Sequence, residues 1–347
     1  MASDSIDCAL RVRSPDDRAA RFDGFGDITQ ASVVTDDLDT AAATLSAALG
    51  AGRFKVVTMD APQLFDRRYG GEPESWAMRL GVTWIGGMQL EIIEPTAGRS
   101  VFADYLHARG GRSGIQHIFL ESSDWDWATT RLEQAGYPLE QRARMNAAGR
   151  LGWFPMPALP KFLAPKFAAH FGYTRSFEPL GVDIEVAKFP PGVSQRLALR
   201  AAIVQQWIPE AEGRDDRLFE KMPADACIAD IDGLVIACTD LDGTAQAYGA
   251  LTNDPPSIEP FDGAPFPGRG RLANIRAKTT TVTLVQAEDG PLATLAREQG
   301  PGVVALRARP ARNPAHLSGA LAERGWEQRS PTLFEHHSVP FALTLQG

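Results

Sequence analysis

Four residues of this chain, Gln30, Glu91, His117 and Glu185, combine donor types that suit a divalent metal ion. They fall in the runs ITQASVV, QLEIIEP, GIQHIFL and GVDIEVAK, each of which reads as a strand. An amide oxygen, an imidazole and two carboxylates bind ions of the Zn, Co, Ni, Mn or Mg range. With four protein ligands, one or two positions stay open in a five- or six-coordinate shell, and a substrate with two adjacent oxygens can chelate there. The ion polarises a carbonyl and stabilises the enolate left when a neighbouring proton departs. A glutamate at the metal edge is the natural acceptor for that proton. One ion per chain is expected, with zinc slightly favoured.

Taken singly, these residues are weak evidence. A lone His in GIQHIFL is more often a satisfied core or edge residue, and Gln30 alone reads as surface. Glu91 and Glu185 lie between aliphatics, where an unpaired carboxylate is costly to bury; their plain reading is the solvent face of an alternating strand. What joins the four is an internal repeat. The segment 28–50 (strand, acidic cap, Ala/Leu helix) recurs from 231 as IDGLVIACTDLDGTAQAYGALTN, with Asp37-Leu38-Asp39 lying on Asp240-Leu241-Asp242. A shorter echo lies inside each half, at 113–137 and from 300. The chain therefore reads as α+β, with four βαβββ units paired into two cupped mixed-sheet modules. In the second half the four places read Gly233, Thr283, Ala305 and Ala342, and none offers a strong ligand. One metal site per chain follows.

The expected boundaries are an N-terminal arm at 1–24, a metal-bearing pair of units at 25–190, a linker at 191–226 and a degenerate pair without ligands at 227–347. Within the first module, 156–177 is an apolar insertion longer than a hairpin needs. Trp153 and Phe154 on the preceding strand, with Phe162, Phe167 and Phe171 of the insertion, are the candidates for lining a substrate pocket, the insertion being a lid that excludes water over a bulky apolar or aromatic group. The plain alternative is a cover over the second half or a dimer contact.

The stretch LEIIEPTAGRSVFADYLHARGGRSGIQHIFLES resembles the vicinal oxygen chelate superfamily, which includes glyoxalase I, methylmalonyl-CoA epimerase, extradiol dioxygenases and bleomycin-resistance proteins. The likeness spans about 28–190 clearly and 229–346 more faintly. The family's ligand places fall on Gln30, Glu91, His117 and Glu185. The overall sequence looks like the epimerase branch, whereas Gln, Glu, His and Glu in that order is similar to the zinc-type glyoxalase I set. In glyoxalase I the last-strand glutamate is the base, which by resemblance implicates Glu185; Glu91 is the second candidate, for the opposite face.

A net charge of −8 argues against nucleic acid and anionic membrane as partners. Three cysteines without metal-type spacing point to a reduced, cytoplasmic setting. The partner is then a small molecule, apolar or aromatic and bearing a carbonyl; a homodimer is possible. The leading expectation is a metal-dependent isomerase or epimerase that abstracts a proton next to a metal-bound carbonyl. A glyoxalase I-type lyase comes second and a non-haem iron dioxygenase third, since the latter uses two His and one carboxylate. The non-enzymatic alternative is a protein that sequesters an apolar ligand.

Overall fold

The computed structural model describes residues 19–22, 24–61, 64–146, 168–189, 226–252, 254–311 and 314–345. The first module follows a short β1 (Ala20–Arg21). It runs β2 (Ile28–Val34), α1 (Leu38–Leu49), β3 (Lys55–Met59), β4 (Leu64–Tyr69), β5 (Glu72–Pro73), β6 (Ala77–Ile85), β7 (Met88–Ala97), α2 (Val101–Ala108), β8 (Gly114–Leu120), α3 (Trp125–Gln134), β9 (Leu139–Asn146), β10 (Ala168–Thr174), α4 (Phe177–Leu180) and β11 (Asp183–Lys188). The second runs β12 (Ile228–Ala237), α5 (Leu241–Thr252), β13 (Ile258–Asp262), β14 (Arg269–Arg276), β15 (Thr281–Ala287), α6 (Gly290–Gln299), β16 (Gly302–Pro310), α7 (Pro314–Ala322), β17 (Glu327–Gln328), β18 (Leu333–Glu335) and β19 (Ala342–Leu345). The helix starts obey local chemistry. Asp37 and Asp124 accept from Thr40 N and Trp127 N at the first turns of α1 and α3, and Asp240 accepts from Gly243 N at α5.

Each module is one curled mixed sheet. In the first the strand order is β3-β6-β7-β2-β8-β11-β10-β9-β4-β5, so the two βαβββ units meet at the antiparallel β2–β8 seam. The second repeats this around β12–β16. One element breaks the symmetry: β4 leaves the first unit and pairs with β9 of the second, strapping the two together.

Alternation along the strands separates two cores. Outward residues such as Ala31, Ile118 and Ile184 share one cluster with Leu234, Ile236 and Leu306 of the second module, so the modules pack through their convex faces. Trp326 Nε1 donates to Ala48 O at 2.7 Å, and the Tyr248 hydroxyl donates to Leu180 O at 3.1 Å across this contact. Inward residues form a second cluster drawn, among the described residues, wholly from the first module. The concave cup of the second module is filled by its own apolar side chains, including Phe261, Leu292 and Leu333.

The structure redraws two expectations. The segment assigned to an apolar insertion at 156–177 is, from Ala168 onward, strand β10 and the start of α4, because Ala168–Thr174 pairs with both β9 and β11. Trp153, Phe154, Phe162 and Phe167 and the linker up to residue 225 lie outside the described residues. The end of the arm joins the second module, Ala20–Arg21 pairing in parallel with Ile275–Arg276. No helix among the described residues is long and apolar enough to cross a membrane.

Candidate metal centre

The cup floor is built from two adjacent cross-strand rows. One runs Trp84, Gln89, Gln30, Phe119, Glu185, Tyr173, Gln141 and Tyr69, each residue in register with the next on the neighbouring strand. The other runs Val82, Glu91, Ser32, His117 and Asp183. Residues two apart on a strand share a face, so Gln30 and Glu185 from the first row face the same space as Glu91 and His117 from the second.

The same register corrects the comparison with the second half. Gly233 and Thr283 stand where Gln30 and Glu91 stand, and Ala305 takes the place of His117. The counterpart of Glu185, however, is Thr344. Ala342 pairs with Ala305 as Asp183 pairs with His117. The second cup still offers no imidazole or carboxylate at any of the four places.

The four side chains converge. His117 Nε2 lies 3.2 Å from Glu91 Oε2 and 3.4 Å from Glu185 Oε2. Gln30 Nε2 donates to the same two oxygens at 2.8 and 3.1 Å. Glu91, His117 and Glu185 are all buried, with one ligand atom from each lying within 4.8 Å of the others. Ligand atoms held about 2.0–2.2 Å from one ion stand about 3–3.5 Å apart, and the separations match. Rotating the Gln30 amide by half a turn presents Oε1 to the same point. Two carboxylates this deep call for a cation, and the donor set fits one divalent ion.

Electrostatics point the same way. Burial lifts the Glu91 pKa above the ordinary carboxylate range; the His117 hydrogen bond opposes this and the charge of Glu185 adds to it. Burial works to lower the His117 pKa, but hydrogen bonds to Glu185 and Glu91 outweigh it and push the imidazole up to about 9. Without a metal, the proton on His117 is the positive charge that the two carboxylates hold.

A supporting shell orients His117. Its Nδ1 meets Gln116 Oε1 at 2.6 Å, which fixes Nδ1 as the protonated nitrogen of the neutral ring and turns Nε2 to the carboxylates. Gln116 Nε2 in turn donates to Asp183 Oδ2, while Asp183 Oδ1 accepts from Ser176 N at 2.6 Å and Phe177 N at 2.8 Å. Burial pushes Asp183 up to about 6 against the pull of those two amides.

Aromatic rings wall the cluster. Tyr173 and Phe102 pack edgewise or tilted on His117 at 4.9 and 5.9 Å, and Phe171 lies between Tyr173 and Trp76 at 5.9 and 6.2 Å. The Tyr173 phenol is raised well above 10, first by burial and then by the charges of Glu185 and Glu91. Of the pocket candidates, Phe171 therefore sits on the cup face. Gln116, Tyr173 and Asp183 were not among the ligand or base candidates. For Asp183 the available signal was its spacing of two residues from Glu185 on one strand.

Residues 29–154 match the model of the Glyoxalase/Bleomycin resistance protein/Dioxygenase superfamily. The first module carries a vicinal oxygen chelate domain. The two-module arrangement is similar to a triple variant of 4-hydroxymandelate synthase from Streptomyces coelicolor (17% identity, 87% of this chain and 76% of that chain, TM-score 0.53). At that identity the likeness is one of fold. Methylmalonyl-CoA epimerase from Mycobacterium tuberculosis matches 48% of this chain and 89% of its own at 20% identity, with a TM-score of 0.29. No curated protein matches the chain. The vicinal oxygen chelate fold accounts for the paired βαβββ units.

Proposed function

We propose that the first module is a divalent-metal-dependent isomerase or epimerase that moves a proton next to a carbonyl of a small apolar or aromatic substrate. The observation that carries this reading is the convergence of one imidazole with two carboxylates and an amide. Gln30, Glu91, His117 and Glu185 would hold the ion. An oxygen-rich set with a single His suits a redox-inert or hard divalent ion better than the two-His, one-carboxylate arrangement of iron oxygenases. Once bound, the ion would supply Lewis acidity to a chelating carbonyl.

The remaining chemistry belongs to the protein. Glu185 accepts the proton from the carbon beside the carbonyl, so a C–H bond breaks as an O–H bond forms. The same proton, or one held by Glu91 on the opposite side, returns to carbon. The neutral Tyr173 phenol, the cross-strand neighbour of Glu185, would steady its anion between the two steps. Phe102, Phe171 and Tyr173 keep water from the cluster and offer an apolar wall to the substrate body.

Metal content, solvent deuterium incorporation and oxygen uptake together test the proposal. The protein should carry about one divalent ion per chain, and His117→Ala should lose it. Glu185→Gln should bind metal more weakly and lose deuterium exchange into apolar 2-oxo acids and hydroxyketones. Retention of full metal content by both variants would remove the four-residue site. Oxygen consumption with Fe(II) and no deuterium exchange would replace proton transfer with oxygenation. Substrate binding that survives metal removal and Glu185→Gln would make the protein a sequestering one.

A further inference from the structure

We propose that Gln89 forms a second subsite on the cup floor and takes a hydrogen-bonding group of the substrate beside the metal-chelating oxygens. The location of the chelate rests on the metal reading above; the state of the Gln89 side chain does not. Met88 and Leu90 belong to the convex core, so Gln89 shares the concave face with Glu91. Its register neighbours are Gln30 on β2 and Trp84 on β6. The residue is 0% exposed, and among the described residues neither its Nε2 nor its Oε1 has a hydrogen-bond partner.

That combination is unusual on this floor. Gln30 donates to both ligand carboxylates, Gln116 links His117 to Asp183, and Gln141 Oε1 caps the Val101 N–H of α2 at 2.8 Å. Gln89 is the amide among these with both ends unmet. A buried amide without a partner is a net loss to the fold that a leucine would avoid. A site built to meet a polar group of its ligand has this appearance when the ligand is away.

Strand geometry limits what the group can be. Gln89 lies about 4.8 Å across the sheet from Gln30 and about 6.6 Å along β7 from Glu91. Its partner atom therefore sits about 5–7 Å from the chelating pair, a span that fits a second polar group on the same small molecule. The half-buried Trp84 packs against the cup cluster and walls that side with apolar surface. The ligand class is a vicinal-dioxygen chelator with an apolar or aromatic body that carries a hydroxyl, carbonyl or carboxamide on the Gln89 side. The amide can both donate and accept, so each of the three finds a complement.

Gln89→Leu tests this with two readouts. In metal-free protein the substitution should raise Tm by about 2–5 °C, since it removes an unpaired buried amide; a lowered Tm would assign Gln89 a structural role and overturn the proposal. In zinc-loaded protein the probes are benzohydroxamate and its ring-hydroxylated and ring-carboxamide forms. Wild type should bind one of the polar-ring forms about tenfold tighter than the parent. Gln89→Leu should erase that preference while zinc content and parent affinity stay unchanged. A preference that persists in the variant, or one that is missing from wild type, would overturn the subsite. Failure of the parent to bind zinc-loaded wild type would count instead against the metal reading, and the metal-free Tm would still judge Gln89.

Discussion

Gln116→Leu probes the logic of the centre without touching a ligand. The change keeps side-chain volume close to the original and removes both hydrogen bonds of the relay: the 2.6 Å contact with His117 Nδ1 and the bond to Asp183 Oδ2. His117 then loses the partner that fixes its ring, and Nε2 is no longer held toward Glu91 and Glu185. Loss of such a partner costs about 10–100-fold in metal affinity, equivalent to about 1.4–2.7 kcal/mol. The fold also suffers, because the Nδ1–H and one Asp183 oxygen are left unpaired in the interior, at about 1–3 kcal/mol. Asp183 Oδ1 keeps its two backbone donors, so the α4 turn should stay in place. Gln116→Glu separates the two effects: it retains an acceptor for His117 but sets a second carboxyl against Asp183. Its metal affinity should fall less than that of the leucine variant and its melting temperature should fall more. Zinc competition against a chromophoric chelator, with circular-dichroism melts of the metal-free proteins, measures both quantities. Wild-type zinc affinity in Gln116→Leu would refute the claim that His117 meets the ion through an oriented Nε2.

Two further expectations concern regions outside the cup. Gly181 adopts φ +74°, and a Cβ there would lie 2.4 Å from Ile236 Cγ2 of the other module. Gly181→Ala should therefore cost about 2 kcal/mol through backbone strain and the module contact, read as a lowered urea midpoint; an unchanged midpoint would show that the contact yields. Burial pushes the Cys238 thiol up to about 11. Its alkylation by iodoacetamide should be slow at pH 8 and rise about tenfold per pH unit until the thiol titrates, a profile that tryptic mass mapping would follow. The sign for stability is set by the same shift. The thiol contributes below its ordinary value near 9, and the contribution is lost as pH rises through about 11.

The sequence carried the repeat well, because the signals behind it are local. Acidic caps at Asp37, Asp124 and Asp240, apolar alternation and short turns set the βαβββ units before any long-range contact forms. The ligand places on β2, β7 and β8 also kept their expected counterparts in the second half. The fourth did not: Ala342 lies two residues before the true counterpart Thr344, a shift that preserves the face and so leaves the alternation intact. Strand pairing alone separates Thr344 from Ala342. Other features were hidden for the same reason. MQLEIIEP reads as a half-exposed strand, and only closure of the cup turns Gln89 from a surface residue into a buried one. The β4–β9 strap depends on pairing between segments about 80 residues apart, which no local pattern encodes. Tyr173 was hidden inside an apolar run that looked like a lid, whereas β10 needs that run for its own two neighbours.

The β2–β8 seam has a consequence for how the centre comes into being. Gln30 and Glu91 belong to one unit, His117 and Glu185 to the other, so neither unit holds a complete set of donors. A chain emerging from the ribosome can present the first pair early, but the last of the four residues arrives only with β11. An ion held by all four would therefore be captured last in the assembly of this module, and its binding would report that the whole sheet has closed. Truncation before residue 185 should yield a chain that gains no stability from zinc, however much of the first unit it retains.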